Sequence, residues 1–314
     1  MSDTTTTNGL PAAAAAKPLP ELTPETKSLI SKAVADISHI ATLPEVTMKI
    51  IQLVEDPEST AQDLNKVITN DPALGARILK VVNSAFYGLP GQIGSINRAI
   101  VLLGLNAVKN IAIAASLSKL FRGGKISESF DARDLWTHCV ATATTSRMLA
   151  AKAGLGLPDE AFLAGLIHDI GLMVEMQAMR AKFVETIEHF NAARAAGGGT
   201  FRESELAVIG ATHEQFGMEL CRVWKFPVSF QYVTGFHHHP GDLAETHRAL
   251  ASLVNIADHI TAKLKLGFCA DVIGEDLAPR IKDELKLTNQ DIKDVCAKLP
   301  EAIEEAQAVF SSAA

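Results

Sequence analysis

The most constraining feature of this chain is an apolar segment, residues 161–171, that contains His168 and Asp169 side by side. The residues around the pair are so apolar that we expect a largely buried helix with the pair in its middle. Small residues one turn earlier, Ala164 and Gly165, are expected to leave room over the pair. Burying an imidazole and a carboxylate is costly unless the two are paired or bound to a metal ion. Taken alone, the pair is more typical of a hydrogen-bonded structural unit than of a metal site.

The composition favours helices along the whole chain. Hydrophobic residues make up 47% of the 314 residues, enough for a sizeable core, whereas aromatic residues make up only 5%. Alanine and leucine are abundant, which favours helix over an all-β sandwich. No segment has the two-residue alternation of a half-buried strand. We therefore expect an all-α fold built of two packed helical subdomains.

Changes of composition along the chain predict how it is divided. Residues 1–25 combine threonine, alanine and proline runs without an apolar period, so we expect a disordered tail there. We expect an N-terminal helical subdomain over residues 26–122 and a second helical subdomain over residues 126–265. The glycine-containing segment 122–125 is the predicted hinge between them, and residues 266–314 are predicted to form a C-terminal helical extension.

Capping residues predict where several helices begin and end. Asp71 and Ser95 each precede a helical pattern and are typical N-caps. Gly104 is expected to break the helix that begins at Ser95. Gly154 is expected to end the long helix before it, and Pro158 to open the next one.

Charge and apolar length exclude several classes of protein. The net charge of −7 and the pI of about 5.8 exclude a chain-wide basic footprint, so we expect no nucleic-acid partner. The N-terminus has no basic region followed by a long apolar run, so we expect no secretory signal peptide. The longest apolar stretch, from Ala99 to Phe121, is broken by Asn106, Lys109 and Asn110, which favours buried helices over a membrane span.

The pattern of cysteines indicates a reducing compartment. None of them forms a CxxC pair, which favours free thiols in a reducing cytosol over a disulfide framework or a thiolate metal site. We therefore expect a cytoplasmic protein without a membrane partner. The four cysteines are Cys139, Cys221, Cys269 and Cys296.

Two further histidines stand at positions that allow more than one interpretation. His138 lies on a predicted helix near Leu135, where a lone histidine is usually a satisfied core residue. Thr212 and Gln215 form a capping box, which places His213 in the first turn of the helix that follows. An ordinary exposed first-turn residue is the alternative to a ligand at that position.

The histidine run and a later aspartate add further candidates. His237 and His238 precede Pro240 at a predicted helix end, where the helix dipole accounts for one histidine but hardly for a run of them. Asp258 shares a helix face with Val254, and an inward-facing aspartate needs a partner. A hydroxyl group or a capping contact would be sufficient.

Together these residues form an ordered series of imidazole and carboxylate groups. Such ligands without thiolates suit divalent ions such as Fe, Mn, Zn or Mg, and we expect one or two of them. An aspartate that bridges two ions would give the arrangement that activates water against a phosphoryl group. The candidate metal ligands are His138, His168, Asp169, His213, His237, His238 and Asp258.

This order resembles the HD superfamily, whose metal ligands run His, His-Asp, His, His, Asp along a helical bundle. The chain is most similar to the HDOD family, the HD-related output domain, over residues 33–260. The resemblance implies that the second subdomain is an HD-like helical bundle. The segments that carry it are Leu43–Glu45, Asn70–Leu74, Val82–Gly88, Ser95–Gly104, Leu135–His138, Ala161–Gly171, Trp224–Pro227 and His237–Pro240.

The resemblance implies a bacterial signal-transduction module. Members of the family usually lack phosphohydrolase activity and act as regulatory or scaffold modules beside two-component and cyclic-di-GMP systems. We therefore expect a non-catalytic protein that binds signalling proteins and retains its metal ligands. The residues outside the resemblance are too few for a receiver, GGDEF or kinase-like domain, so the input is expected from a separate protein or a ligand.

The chain departs from the hydrolytic pattern at two places. Hydrolytic HD-GYP relatives carry a lysine where Leu172 stands, and a Gly-Tyr-Pro motif where Gly241 begins Gly-Asp-Leu-Ala. The missing cation would have stabilised phosphoryl charge, so cyclic-di-GMP hydrolysis of that type is not expected. The alternatives are a metal-dependent phosphohydrolase or phosphodiesterase acting on a nucleotide or cyclic dinucleotide, and a nucleotide sensor that binds without hydrolysis.

Overall fold

The computed structural model describes residues 22–40, 43–118, 120–121, 124–274 and 279–310. The fold is all-α, as predicted, with a single small hairpin in the described part of the chain. Most of the predicted tail lies outside the described residues. The first helix begins at Pro24, so its first turn falls within the predicted tail.

The N-terminal part of the chain is a set of short helices. Their lengths follow the capping residues and glycines noted in the sequence. They are α1 Pro24–Ile40, α2 Glu45–Glu55, α3 Ala61–Thr69, α4 Pro72–Val82, α5 Ile96–Leu103 and α6 Leu105–Leu117.

A two-stranded antiparallel hairpin lies at the start of the predicted second subdomain and begins at the last residue of the predicted hinge, of which residues 122 and 123 lie outside the described residues. Strand β1 covers Lys125–Ser127 and strand β2 covers Phe130–Asp131, with Lys125 paired to Asp131. No strand pattern was found in this segment, and two strands of three and two residues leave the all-α fold class unchanged. Strands this short cannot produce a two-residue alternation that differs from chance.

The second part of the chain is a helical bundle that packs around the long helix α7. A short 3₁₀ helix, Pro240–Asp242, follows α13. The helices are α7 Ala132–Ala153, α8 Pro158–Ile167, α9 Ile170–Ala178, α10 Arg180–Ala195, α11 Phe201–Val208, α12 His213–Val223, α13 Val228–Phe236, α14 Glu245–Lys263, α15 Pro279–Glu284 and α16 Asn289–Phe310.

The predicted helix ends are confirmed where a capping residue carried the prediction. The Asp71 carboxylate accepts a hydrogen bond from Leu74 N at 2.9 Å, and Ser95 Oγ accepts one from Arg98 N at 3.2 Å. Gly154 ends α7 in the left-handed conformation, with φ of 66°. These contacts satisfy backbone groups that a helix terminus leaves without partners.

The predicted single helix through His168 and Asp169 is wrong. Helix α8 ends at Ile167 and α9 begins at Ile170, and Asp169 lies between them with φ of −96° and ψ of 19°. Consecutive side chains of a regular helix point in directions about 100° apart. The break at the pair lets both side chains reach the same place.

The expected room beside Ala164 and Gly165 is not empty space. Helix α7 passes directly over Gly165, where an added Cβ would lie 2.8 Å from both Ala143 Cα and the Thr142 carbonyl oxygen. Gly165 is therefore a close-packing position between α7 and α8. The close approach brings His138 on α7 toward His168 at the end of α8.

The apolar stretch from Ala99 to Phe121, predicted as buried helices, is buried in its second helix, whereas Val101 and Leu102 in α5 are exposed. Every residue of α6 from Val108 to Leu117 is buried, including Lys109, whose ammonium group donates to the Leu53 carbonyl and to Ser59 Oγ. Residues 158–178 are long and apolar enough to cross a membrane by length and composition alone. Of that window, 89% is buried inside the molecule, as in a core helix of a folded bundle.

One continuous apolar core joins the two parts of the chain, from Ile30 in α1 to Phe310 in α16. The segment after α4 makes the polar part of the junction. The Tyr87 hydroxyl donates to Asp159 Oδ1 at 2.8 Å, and Arg147 donates to the Phe86 carbonyl at 3.0 Å while its guanidinium lies 4.4 Å from the Tyr87 ring centre. These contacts fasten the N-terminal helices to α7 and α8.

Candidate metal centre

The side chains of all seven candidate ligands converge inside the helical bundle and are fully buried. The α8–α9 break supplies His168 and Asp169, while the end of α13 supplies His237 and His238. The other three come from α7, from the first turn of α12, and from α14. The alternative of an exposed first-turn residue is therefore wrong for His213.

The imidazole Nε2 atoms face one another in two groups. His138 Nε2 lies 3.2 Å from His168 Nε2. On the other side, His213 Nε2 lies 3.4 Å from His237 Nε2 and 3.1 Å from His238 Nε2. Zinc–nitrogen bonds of about 2.0–2.1 Å in a tetrahedral site separate two ligand atoms by about 3.3–3.4 Å. The observed separations fit ligands arranged around an ion.

The Nδ1 atoms of these histidines point outward to fixed partners. His168 Nδ1 lies 2.8 Å from the Gly165 carbonyl, His213 Nδ1 lies 2.8 Å from Glu205 Oε1, and His237 Nδ1 lies 3.2 Å from the Val233 carbonyl. A hydrogen bond at Nδ1 fixes the ring and leaves Nε2 with a free lone pair. Metal-bound histidines characteristically have such outer partners.

Asp169 lies between the two groups of histidines. Its Oδ2 is 3.3 Å from His168 Nε2 and 3.6 Å from His138 Nε2. Its Oδ1 is 3.4 Å from His237 Nε2 and 3.7 Å from His213 Nε2. One carboxylate oxygen thus faces each group, which is the geometry of an aspartate that bridges two ions.

The buried carboxylates lack hydrogen-bond donors. Neither oxygen of Asp169 or Asp258 accepts a hydrogen bond from the described residues, although His138 Nε2 lies 3.0 Å from Asp258 Oδ1. Buried polar atoms without partners are rare in folded proteins and require an explanation. A cation at the centre supplies one, so the residues present fit a divalent metal.

The pKa directions also indicate a site that favours a cation. Burial raises the pKa of Asp169, but the neighbouring His168 and His237 outweigh it, so this pKa lies well below its usual range. Burial, together with the charges of neighbouring histidines, lowers the pKa of His238 well below its usual range. An ionised carboxylate and a neutral imidazole are the forms that bind metal, and the pKa directions of Asp169 and His238 favour those forms. Burial lowers the pKa of His138, but the neighbouring Asp258 outweighs it, so this pKa lies well above its usual range.

Sequence reasoning missed a third buried aspartate. Asp271, in the segment after α14, is fully buried, and its Oδ2 lies 3.8 Å from His238 Nε2. It can join His138, His168 and Asp169 in one ligand group whose atoms all lie within 4.8 Å of one another. Burial and the charges of nearby aspartates raise the pKa of Asp271 well above its usual range. Its position within the apolar run 268–272 could have predicted from the sequence that this aspartate is buried.

Two buried glutamates stand behind His213 and were also missed. Glu205 Oε1 accepts from the His213 backbone N at 3.1 Å and contacts its Nδ1. Glu175 is fully buried beside it, and burial together with the charge of Glu205 raises the pKa of Glu175 well above its usual range. Glu175 stands within the apolar run of α9, so the signal that marked Asp169 was present there too.

Gly171 sets how closely α9 and α12 approach. A Cβ added at Gly171 would lie 1.8 Å from the His213 carbonyl oxygen and 2.8 Å from Gly217 N. Only glycine permits this contact, which brings the first turn of α12 against the α8–α9 break. The capping box of Thr212 and Gln215 starts α12 at that point, with Thr212 N donating to Gln215 Oε1 at 3.1 Å.

The third histidine of the run faces away from the centre. His239 Nδ1 lies 3.0 Å from Glu214 Oε1, and Arg202 Nε donates to Glu214 Oε2 at 2.7 Å. These residues line a groove of about 540 Å³ between α1, α12 and α13. None of the seven candidate ligands lines this groove.

Comparison with solved structures finds the same fold in several bacterial proteins. An HDOD domain protein of unknown function from Geobacter sulfurreducens is 22% identical, covers 92% of this chain and 99% of its own, and has a TM-score of 0.71. A protein from Shewanella amazonensis SB2B named "Putative phosphohydrolase" is 24% identical, with coverages of 91% and 98% and a TM-score of 0.68. At these identities the likeness shows the fold.

Two longer proteins are also similar. One from Marinobacter aquaeolei VT8, named "Putative signal transduction protein", is 21% identical over 91% of this chain and 64% of its own, with a TM-score of 0.68. An uncharacterized protein of Treponema pallidum (strain Nichols) is 24% identical over 239 residues, or 76% of this chain. The chain spans about 45% of that curated relative's length.

The family model gives the assignment directly. The model for the HDOD domain matches residues 40–240, well over half of the chain. The matched range contains all of the candidate ligands except Asp258, which follows on α14. This chain belongs to the HDOD domain family.

Proposed function

We propose that this chain is a signal-transduction module that holds one or two divalent metal ions and acts by binding a partner protein rather than by turnover. The observation that carries the proposal is the enclosure of the candidate metal centre. All seven side chains are fully buried, and the groove next to them is lined by none of them. Side chains buried to this degree disfavour the access of a phosphate ester to any ions that they would hold.

The residue after the His-Asp-Ile-Gly segment supports the same conclusion. Leu172 is fully buried. It stands at the position where the hydrolytic HD-GYP proteins carry a lysine. A phosphoryl transition state needs cationic groups directed at its oxygens. A metal centre without such a group is better suited to binding a phosphate compound than to hydrolysing it. The signal-transduction name of the Marinobacter protein agrees with this role.

The deciding experiment is a turnover assay on purified protein loaded anaerobically with Fe²⁺, Mn²⁺ or Zn²⁺. The substrates are mononucleotides and cyclic dinucleotides, and Asp169→Ala is the control that removes the bridging carboxylate. We expect metal bound by the wild-type chain and product formation no higher than with Asp169→Ala. Turnover that Asp169→Ala abolishes would overturn the proposal.

Partner binding is tested separately. Crosslinking in the cell of origin identifies candidate proteins, and each candidate is then purified and titrated against the purified chain. We expect direct binding of at least one signalling protein. If no crosslinked candidate binds as a purified protein, the interaction half of the proposal fails.

The second candidate function is a metal-dependent phosphohydrolase acting on a nucleotide or a cyclic dinucleotide. The specific observation in its favour is Asp169, whose two oxygens face two separate groups of histidines, as in two-metal hydrolytic sites. The Shewanella protein's name agrees with it. The same assay separates the two functions. Calorimetry with the same compounds detects a nucleotide sensor that binds without hydrolysis.

A further inference from the structure

The segment after α14 is seated directly on the candidate metal centre. Phe268 N donates to the Asp134 carbonyl of α7 at 3.0 Å, and the Phe268 ring packs against Phe130 and Phe201, with centroids 5.1 and 5.6 Å apart. Cys269 Sγ lies 3.8 Å from His138 Nδ1. Residues 266–274 therefore contact the back of one histidine and the helix that carries it.

Gly267 allows residues 266–274 to lie this close to α7. It has φ of 79°, and a Cβ added there would lie 2.3 Å from the Asp134 carbonyl oxygen and 2.6 Å from His138 N. The backbone of the segment thus touches the backbone of α7 at the residue that carries a candidate ligand. Any larger residue would hold the segment away from the centre.

Because residues 266–274 lie against α7, the Asp271 side chain reaches the candidate metal centre. It is fully buried, and neither of its oxygens has a hydrogen-bond partner among the described residues. It belongs to two ligand groups, one with His138, His168 and Asp169 and the other with His168, His237 and Asp258. A buried carboxylate without a donor is costly, and a cation is the partner that would offset the cost.

We propose that Asp271 is a metal ligand supplied by the segment after α14, so that a bound cation ties residues 266–274 across the centre. The proposal rests on the metal-binding half of the function proposed above. With Asp169 and Asp258, Asp271 makes three carboxylates, which balance most of the charge of two divalent cations. Metal occupancy then controls how firmly the segment that leads to α15 and α16 is held.

The test uses the full chain, stripped of metal by chelation and titrated with Mn²⁺ or Zn²⁺ by calorimetry and elemental analysis. Hydrogen exchange of residues 264–274 is followed with and without the ion. Asp271→Asn keeps the size of the side chain and replaces the carboxyl group with a neutral amide that cannot ionise, so the metal-free variant should fold. Asp283→Asn, an exposed aspartate in α15, is the matched control.

We expect metal to slow exchange in residues 264–274 of the wild-type chain and of Asp283→Asn. Asp271→Asn should bind Mn²⁺ at least about tenfold more weakly, since even the loss of an outer partner of a ligand costs about 10–100-fold. It should also lose the metal-dependent protection. Equal affinity and equal protection in Asp271→Asn would overturn this proposal alone. A wild-type chain that binds neither ion would overturn it together with the metal-binding half of the proposed function.

A second pair of variants tests the segment without changing any ligand. Gly267→Ala places a Cβ against α7, whereas Gly274→Ala introduces the same positive-φ strain with its nearest neighbours 3.5 Å away. We expect Gly267→Ala, but not Gly274→Ala, to weaken Mn²⁺ binding and to lose the metal-dependent protection. Unchanged metal binding in Gly267→Ala would mean that the segment does not contribute a ligand.

Discussion

Glu205 Oε1 lies 2.8 Å from His213 Nδ1, and both side chains are fully buried. The same oxygen accepts from the His213 backbone N at 3.1 Å, so one carboxylate fixes both the ring and the first turn of α12. Carboxylates in this position raise the basicity of a ligating imidazole and orient its other nitrogen. Glu205 is therefore a positioning residue for His213.

Replacing this carboxylate should weaken metal binding while leaving the candidate ligands in place. We expect Glu205→Gln to lower the affinity for Mn²⁺ by about 10–100-fold, measured by calorimetry on chelator-treated protein. Glu188→Gln, an exposed position on α10, is the control and should bind as the wild type does. Equal affinity in Glu205→Gln and Glu188→Gln would show that Glu205 has no part in the site.

Gly171 should be intolerant of any side chain. Gly171→Ala places a Cβ 1.8 Å from the His213 carbonyl oxygen, so α9 and α12 must separate. Overpacking of this kind costs about 1–3 kcal/mol or more, and it displaces His213 from the other imidazoles. We expect a lower free energy of unfolding in urea and weaker metal binding. Gly198→Ala, with open space around it, should change neither, and a Gly171→Ala chain as stable as the wild type would contradict the packing argument.

Glu214 should make stability depend on pH in the acid range. Burial raises its pKa, but His239 and Arg202 outweigh burial and bring the pKa to about 2, against 4.5 for an ordinary glutamate. The unfolded chain therefore binds the proton more readily than the folded chain. The stabilisation is present above about pH 4.5 and is lost as the pH falls toward 2, and it amounts to about 3 kcal/mol at most.

The measurement is the free energy of unfolding at pH 7 and pH 3 for the wild type and Glu214→Gln. Between these pH values the wild type should lose more stability than Glu214→Gln. Glu219→Gln is the control, because Glu219 pairs with the exposed Arg222 at 2.7 Å and such pairs contribute little. Parallel pH profiles for the wild type and Glu214→Gln would contradict the assignment.

Tyr87 should contribute to the junction between the two parts of the chain. Tyr87→Phe removes the hydrogen bond to Asp159 Oδ1 and keeps the ring under Arg147. Because the acceptor is a carboxylate, we expect a loss of about 1.5–3 kcal/mol in the free energy of unfolding, measured by urea titration. The hydroxyl of Tyr232 makes no hydrogen bond with the described residues, so Tyr232→Phe should have little effect. A loss of the same size in both variants would assign it to something other than this hydrogen bond.

Local signals predicted the parts of the fold that local contacts determine. Asp71 and Ser95 cap the helices that they were expected to cap, because the capping hydrogen bond lies within four residues of sequence. The α8–α9 break at Asp169 and the short hairpin at Lys125 were not predicted. Both depend on what packs around them, namely the converging imidazoles in one case and the start of α7 in the other.

The candidate site was predicted only in part, because its residues are distant in the sequence and local signals do not connect them. The ordered series of histidines and aspartates became informative through its resemblance to the HD superfamily, whereas spacing alone left a structural alternative open for each residue. Asp271, Glu175 and Glu205 belong to no such series. Their importance lies in burial, which arises only when α9, α11 and the segment after α14 pack around the same point.

The first and last of the seven converging side chains, His138 and Asp258, belong to α7 and α14, with α8 to α13 between them in the sequence. A fragment that omits α7 or α14 lacks at least one of the seven side chains. The site therefore cannot assemble before both helices have packed. Contacts between residues so distant in sequence form late, after the cost of closing the intervening loops has been met. An ion held by all of these residues would therefore be acquired only after α7 to α14 have packed together, and its presence would report that this part of the chain has folded.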